Sequence, residues 1–301
     1  MALHTLINDH WQVGILPETG ASTAFGRVRH RDEWVDIMRP TDPANYSDAA
    51  ACASYLLVPW SNRIRDGVFR FQGQEYHLRV NNEDGTAIHG DVRDRPWTVE
   101  SADNQGIRLS FDSRQFDDVN FPFAFSARAT FELQGADFIM SLSLTNEDTR
   151  PMPGGFGHHP YFLRYGTGAS VLLEIPCGQQ FMLENCLPDA APHTVTREAD
   201  FRELRPLGDT FFDDLLTGRE GADPVRLVYP AWDIEIRMFS DPIFQHVILY
   251  APDKPYYAVE PVTNANDGFN LYEQGIPGTG VFVLQPGESR EGTVRMQVDL
   301  T

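Results

Sequence analysis

The stretch Phe121-Pro122-Phe123-Ala124-Phe125-Ser126-Ala127-Arg128-Ala129-Thr130-Phe131-Glu132-Leu133 decides the fold class. Alternate positions carry Phe121, Phe123, Phe125, Ala127, Ala129, Phe131 and Leu133, and between them lie Pro122, Ala124, Ser126, Arg128, Thr130 and Glu132. A period of two sends the two sets to opposite faces of an extended chain, so 121–133 is predicted to be a half-buried strand. The same alternation recurs at Phe138, Met140, Leu142 and Leu144, at Trp232, Ile234, Ile236 and Met238, and at Val294, Met296, Val298 and Leu300. Phe69 to Leu78 reads as a hairpin turning at Gln72-Gly73-Gln74.

Helical signals are thin by comparison. The chain holds 24 Gly and 21 Pro with no Ser/Gly linker and no repeat, so few windows could sustain a long helix. The best local candidate is a short turn within 43–55, where Asp42-Pro43 could start a helix. The expectation is an all-β protein: one large antiparallel β-sandwich over residues 1–301, with few short helices and long functional loops.

Composition narrows the function classes. The 301 residues are 42% hydrophobic and 22% charged, ordinary for a globular chain, but the net charge is −19. Such a surface repels phosphate backbones and anionic membranes, and no Lys/Arg run offers a local exception, so neither nucleic acid nor membrane is an expected partner. No apolar stretch approaches the roughly 18–20 residues that span a bilayer. The start, Met1 to His10, lacks the basic and apolar regions of a signal peptide, and a cytoplasmic location is expected. Cys52, Cys177 and Cys186 are odd in number and show no C-x-x-C spacing, which argues against a disulfide framework or a zinc knuckle. Gly155-Phe156-Gly157-His158-His159-Pro160 begins like a dinucleotide fingerprint but ends in Pro, with no βαβ unit around it. P-loop, H-E-x-x-H and G-x-S-x-G patterns are absent. No metal and no cofactor are expected.

Four loop segments are dense in polar groups that folding does not require: Trp60 to Ile64, Ala87 to Trp97, Gly154 to Phe162, and Tyr257 to Asn264. In order, they resemble the aldose 1-epimerase (mutarotase) family. Asn62-Arg63-Ile64, then Gly67, Phe69 and Gly73-Gln74-Glu75-Tyr76-His77-Leu78, is similar to that family's N-R-I…G…F…G-x-x-Y-x-L. Ile88-His89-Gly90 matches its H-G segment, Thr145-Asn146 with His159-Pro160-Tyr161-Phe162 its T-N…H-x-Y-F, and Val259-Glu260 its C-terminal glutamate. The resemblance runs from about residue 16 to the end. It implies a galactose mutarotase-like supersandwich that interconverts the α and β anomers of a free aldose.

The chemistry of that reaction suits the residues. Opening a pyranose removes the proton of the anomeric hydroxyl and protonates the ring oxygen, which needs a general base and a general acid on opposite sides of the sugar. By resemblance Glu260 is the base and His159 the acid, the H-x-Y-F register preferring His159 to His158. Apolar neighbours of Glu260 would raise its pKa, and Pro160 restricts His159 to extended backbone. His89 is expected to bind a sugar hydroxyl beside Gly90, and Arg63 to donate in a fork, with Trp60 and Asn62 forming a sugar-binding rim. Asn62 could instead cap its turn. A further acid falls on Asp213 in Phe211-Phe212-Asp213-Asp214-Leu215-Leu216, with Asp214 open because Leu216 stands where the family has an aromatic.

Two departures bear on substrate. Asp91 follows Gly90 where galactose-type members carry a second Gly. The run His89-Gly90-Asp91-Val92-Arg93, ending at Trp97, resembles the H-G-x-x-R…W of hexose-6-phosphate mutarotases, in which Arg93 and Arg95 would contact phosphate or substrate. The opposite reading pairs Asp91, Asp94, Arg93 and Arg95 among themselves as a solvated cluster. A non-catalytic sugar-binding protein is the alternative from another class, and a glycosidase using Glu260 with Asp213 or Asp214 a weaker one. The expected partner is a small-molecule sugar, with the chain a monomer or homodimer.

Overall fold

The computed structural model describes residues 2–164, 170–219 and 221–300. Its longest hairpin joins Phe125–Gln134 to Asp137–Asn146 through ten paired rungs, from Phe125 opposite Asn146 to Gln134 opposite Asp137. Phe125, Ala127, Ala129, Phe131 and Leu133 are buried and the residues between them are not, so the alternation sets the face as expected. Each large apolar side chain buried this way contributes about 1.5–3 kcal/mol. The strand begins at Phe125 rather than Phe121. Pro122 has no N–H to give a ladder, and Phe121 and Phe123 reach the core from an irregular segment instead.

That hairpin is the centre of a nine-stranded sheet. Its order is Thr98–Ala102, Gly106–Asp112, Phe125–Gln134, Asp137–Asn146, Ser289–Leu300, Ile234–Ser240, Val225–Tyr229, Leu172–Glu174 and Arg205–Pro206. Val294, Met296 and Val298 are buried as their spacing implies, while the side chain of Leu300 lies outside the described ones. Trp232 sits in a 3-10 turn, Pro230–Trp232, because left-handed Asp233 (φ 49°) separates it from the strand that starts at Ile234.

An eight-stranded sheet faces the first. Its path runs His193–Thr194, Cys177–Phe181, Phe212–Arg219, His246–Ala251, Tyr256–Val262, Gly157–His158 and Leu56–Leu57, with Tyr161–Leu163 also pairing Tyr256–Val262. The main apolar core joins the facing sides, from Phe131, Met140 and Met296 on one sheet to Phe212, Leu249 and Val259 on the other. A smaller apolar cluster, including Tyr55, Leu215, Ile248, Ala258 and Leu271, lies on the far side of the eight-stranded sheet. The architecture is an all-β antiparallel sandwich.

The small elements follow local chemistry. Val68–Phe71 and Gln74–His77 form the expected hairpin, with Gln72 and Gly73 both at positive φ. Asp42 and Asp48 cap the 3-10 turns Pro43–Asn45 and Ala49–Ala51 through their side chains. Gly268–Glu273 is the single α-helix among the described residues, and nothing in the periodicity of so short a segment marked it. No helix among the described residues is long and apolar enough to cross a membrane.

Candidate active site

Cross-strand register assembles a row of side chains on the outer face of the eight-stranded sheet. Ile248 pairs with Glu260 and with Leu215, while Tyr250 pairs with Ala258 and with Asp213. Tyr161 also pairs with Ala258. Paired residues share a face, so Glu260, Ile248, Tyr250, Asp213 and Tyr161 point the same way. Asp214 pairs with Leu249 on the opposite face, which settles the acidic pair geometrically: Asp213 lines the cleft.

The cleft they floor has a volume of 320 Å³ and is completed by Tyr55, Asn62, Arg63, His89, His159 and Phe211. That is within the range of small-ligand sites, about 300–1,000 Å³. A larger groove of 720 Å³, bordered by Thr217, Arg219, Phe239 and Phe244, is lined by no histidine and by Asp241 as its one carboxyl residue, so chemistry rather than size selects the smaller cleft. Among the described residues no group of His, Cys, Asp and Glu is arranged to hold a metal ion.

At the floor His159 Nε2 lies 3.1 Å from Glu260 Oε1, both residues buried. The two are therefore direct neighbours instead of standing on opposite walls. Tyr161 Oη is 3.5 Å from the same imidazole nitrogen, and the Tyr55 ring lies over His159 at 4.5 Å between centroids. The backbone holds this arrangement, since His159 N donates to Tyr55 O (3.0 Å) and Tyr161 N to Ala53 O (2.8 Å) on either side of Pro160. Burial pushes the Glu260 carboxyl well above its ordinary range, with the Asp213 charge adding to the shift and Arg63 opposing it. Burial likewise pushes the His159 imidazole well below its ordinary value, helped by the charges of Arg39, Arg93 and Arg63. Both directions favour one proton on the pair, carried by the carboxyl. Glu260 Oε2, His159 Nδ1, His89 Nδ1 and Asn62 Nδ2 are buried without protein partners, a concentration of unmet hydrogen-bonding capacity around one cavity.

The rim comes from two loops stitched together. Arg63–Ile64 pairs with Ala87–Ile88, and His89 N donates to Asn62 O at 3.0 Å. Asn62 and His89 both occupy left-handed backbone (φ 56° and 65°), rare for non-glycine residues. Gly90 (φ 70°) follows, and a Cβ there would lie 1.9 Å from Val58 O. Its small size thus serves the approach of the Val58 backbone rather than of a sugar. Arg63 Nε donates to Asp84 Oδ2 at 2.8 Å, which fixes the guanidinium. Asp213 Oδ2 accepts from Cys186 Sγ at 3.2 Å. Asn264 joins the fourth segment to the first: its Oδ1 accepts from Ser61 N and its Nδ2 donates to Ser61 O. Gly155 of the third segment leaves no room for a Cβ beside that same amide oxygen.

Other expectations are revised. Trp60 is fully buried, its ring tilted against that of Phe121 at 5.7 Å between centroids, and forms no rim. Arg95 binds Asp91 (2.9 Å) and Asp118 (2.7 Å) and does not line the cleft. Arg93 pairs with Asp94 at 3.2 Å and also stands outside the lining, with Cζ 5.4 Å from the centre of the Tyr55 ring. These charges pair among themselves and with Asp118, with Arg95 and Asp91 largely enclosed rather than solvated, and Arg95 lies outside the cleft where a phosphate contact was expected. His158 points away from the cleft, near Phe244. Tyr55, Tyr250, Ile248 and Phe211 were not recognised as lining residues from the sequence. Only Tyr161 and Phe211 stood beside residues already singled out, and cross-strand register was the missing signal.

Known proteins share the sequence family and the fold. The family model for aldose 1-epimerase matches residues 3–297. The uncharacterized protein YphB of Escherichia coli K12 is 26% identical over 313 residues, covering 99% of each chain. Galactose mutarotase of Homo sapiens is 28% identical over 145 residues, which is 46% of this chain and 35% of that protein. Among solved structures, the GalM/aldose epimerase homologue from C. elegans superposes with a TM-score of 0.85 at 17% identity, covering 100% of this chain and 99% of that one. A galactose mutarotase-like protein from Clostridium acetobutylicum gives 0.84 at 17% identity, covering 99% and 95%. With a family model spanning nearly its whole length and that fold, the chain belongs to the aldose 1-epimerase family.

Proposed function

We propose that the protein is an aldose 1-epimerase acting on a free sugar, with Glu260 as general base and His159 as general acid. The supporting observation is the buried contact between Glu260 Oε1 and His159 Nε2 at the cleft floor. O1 and the ring oxygen are both borne by the anomeric carbon, so a sugar set on this floor meets the two catalytic atoms side by side. With its proton passed across the 3.1 Å contact to His159 Nε2, Glu260 is the carboxylate that takes the O1 proton, the His159 imidazolium gives its proton to the ring oxygen, and the C1–O5 bond opens to the aldehyde. Rotation about C1–C2 and the reverse transfers close the other anomer. Arg63, His89, Asn62 and Asp213 bind hydroxyls and keep the opened chain in place.

The chemistry needs one proton on the pair in total, and the opposed shifts of Glu260 and His159 widen the pH range over which that holds. At low pH the second proton goes onto the pair and removes the base. At high pH the last proton leaves and removes the acid. A bell with a broad plateau across neutrality is expected in kcat.

Polarimetry on fresh α-glucose, α-galactose and a wider aldose panel tests the reading. Glu260→Gln should lower kcat about 10²–10⁴-fold while sugar binding persists. Unchanged turnover would remove Glu260 from the mechanism, and no acceleration by the wild type on any sugar would point to the non-catalytic binder. The engagement of Arg95 with Asp91 and Asp118 leaves the hexose-6-phosphate reading without one of its two arginines.

A further inference from the structure

Arg39 lies behind the cleft rather than in it. Its backbone N donates to Tyr161 O at 2.9 Å, and its guanidinium carbon stands 3.9 Å from the Tyr161 ring centre and 4.6 Å from that of Tyr256. The two rings meet edge to face at 5.3 Å, so the cation rests against both. Nη2 donates to the carbonyls of Ala50 and Cys52, and Nε is buried with no partner. Among the described residues no carboxylate pairs with Arg39, whereas Arg27, Arg63, Arg93 and Arg95 each have one. A half-buried cation that rests on two aromatic faces, with Nε enclosed and no carboxylate beside it, is less cancelled than a paired one. Through Tyr161, whose hydroxyl is 3.5 Å from His159 Nε2, it faces the imidazole.

We propose that Arg39 is a positioning residue for the reaction, its unpaired guanidinium on Tyr161 setting how readily His159 gives up its proton. The inference rests on the acid role proposed for His159. Other groups face the same imidazole: Glu260 from its strand, Tyr161 and Tyr55 at its ring, His89 edge-on at 5.3 Å, and the charges of Arg63 and Arg93. Arg63 and Arg93 are each neutralised by an aspartate, so Arg39 is the cation whose field is least cancelled. A positive charge there disfavours the imidazolium, which makes it a stronger donor to the weakly basic ring oxygen.

The test compares Arg39→Met with Arg39→Lys. NMR titration of the His159 ring in the sugar-free protein should show Arg39→Met gaining its proton at higher pH than the wild type, with Arg39→Lys restoring the original value. In polarimetry, kcat of Arg39→Met should fall about 2- to 30-fold, the span of cation–π contacts from exposed to desolvated, with KM within about twofold. Should Arg39→Met fail to fold, Tyr256→Leu removes one of the two supporting rings outside the cleft and should shift the titration the same way by less. An unmoved titration in either variant, or a Lys variant as impaired as the Met variant, overturns the proposal. A wild type without turnover sinks the epimerase reading, and the NMR titration still decides the role of Arg39.

Discussion

Arg63 owes its usefulness to Asp84. A free arginine on a loop samples many rotamers, but Nε is tied at 2.8 Å to a carboxylate that is itself fixed by Thr86 N and Oγ1. Although burial opposes it, hydrogen bonds from Thr86 and Arg63 bring the Asp84 carboxyl down to about 2. Because the folded value is depressed, the stabilisation is complete above the unfolded value of 3.8 and is lost as pH falls towards 2. The brace therefore holds throughout any working range. Asp84→Asn should raise KM about tenfold, the lower end of losing a charge-assisted hydrogen bond, with a smaller change in kcat. Kinetics on the best sugar found by polarimetry will show it; a kcat loss exceeding the KM change would mean that Arg63 acts on the reacting atoms.

At the scale of elements, the strand pair Arg63–Ile64 with Ala87–Ile88 carries the rim, and Gly90 locks it to Val58. Gly90→Ala would combine a positive φ with a Cβ driven into a carbonyl oxygen. Stability should drop by more than about 1 kcal/mol, read as a lower midpoint in urea, and His89 should be displaced with a rise in KM. A variant as stable and active as the parent would show that the backbone there yields. This scale also explains what the sequence displays. Period-two strands are visible because each residue from Phe125 to Leu133 reports its own face. Glu260, His159, Arg63, His89 and Asp213 sit beside motif residues, and all five line one cleft. Tyr55 and Tyr250 look like any strand aromatic, and only the pairing of Tyr250 with Asp213 reveals its direction. Trp60 misled because adjacency in sequence says little about which way a loop side chain turns. The helix Gly268–Glu273 is set by tertiary contacts, with Asn270 Nδ2 donating to Val68 O and Asn270 Oδ1 accepting from Arg70 N, so no local period announces it.

For the whole molecule, buried imidazoles are expected to contribute to acid sensitivity. His158 and His246 are fully enclosed, and burial brings each from 6.5 to about 4. In the unfolded chain both take protons near 6.5, while the folded state resists to about 4, so stability falls as pH drops through that window. Each could cost up to about 3 kcal/mol. Neither ring nitrogen of His158 has a partner, so His158→Phe should keep the fold and lessen the drop in Tm between about pH 7 and about pH 4. An undiminished drop would assign the acid sensitivity to His246 or to the carboxylates. The division of labour across the molecule has one more consequence. Glu260 and Asp213 stand on central strands whose reverse side is the main core, while Asn62, His89 and Phe211 stand on connections between strands. Residues on the strands cannot be moved without disturbing the core, but the connections can be rewritten one at a time. On the function proposed above, changes at Asn62, His89 and Phe211 are the route to a different sugar, while Glu260, Asp213 and also His159, which itself stands on the connection between Gly157–His158 and Tyr161–Leu163, are left alone.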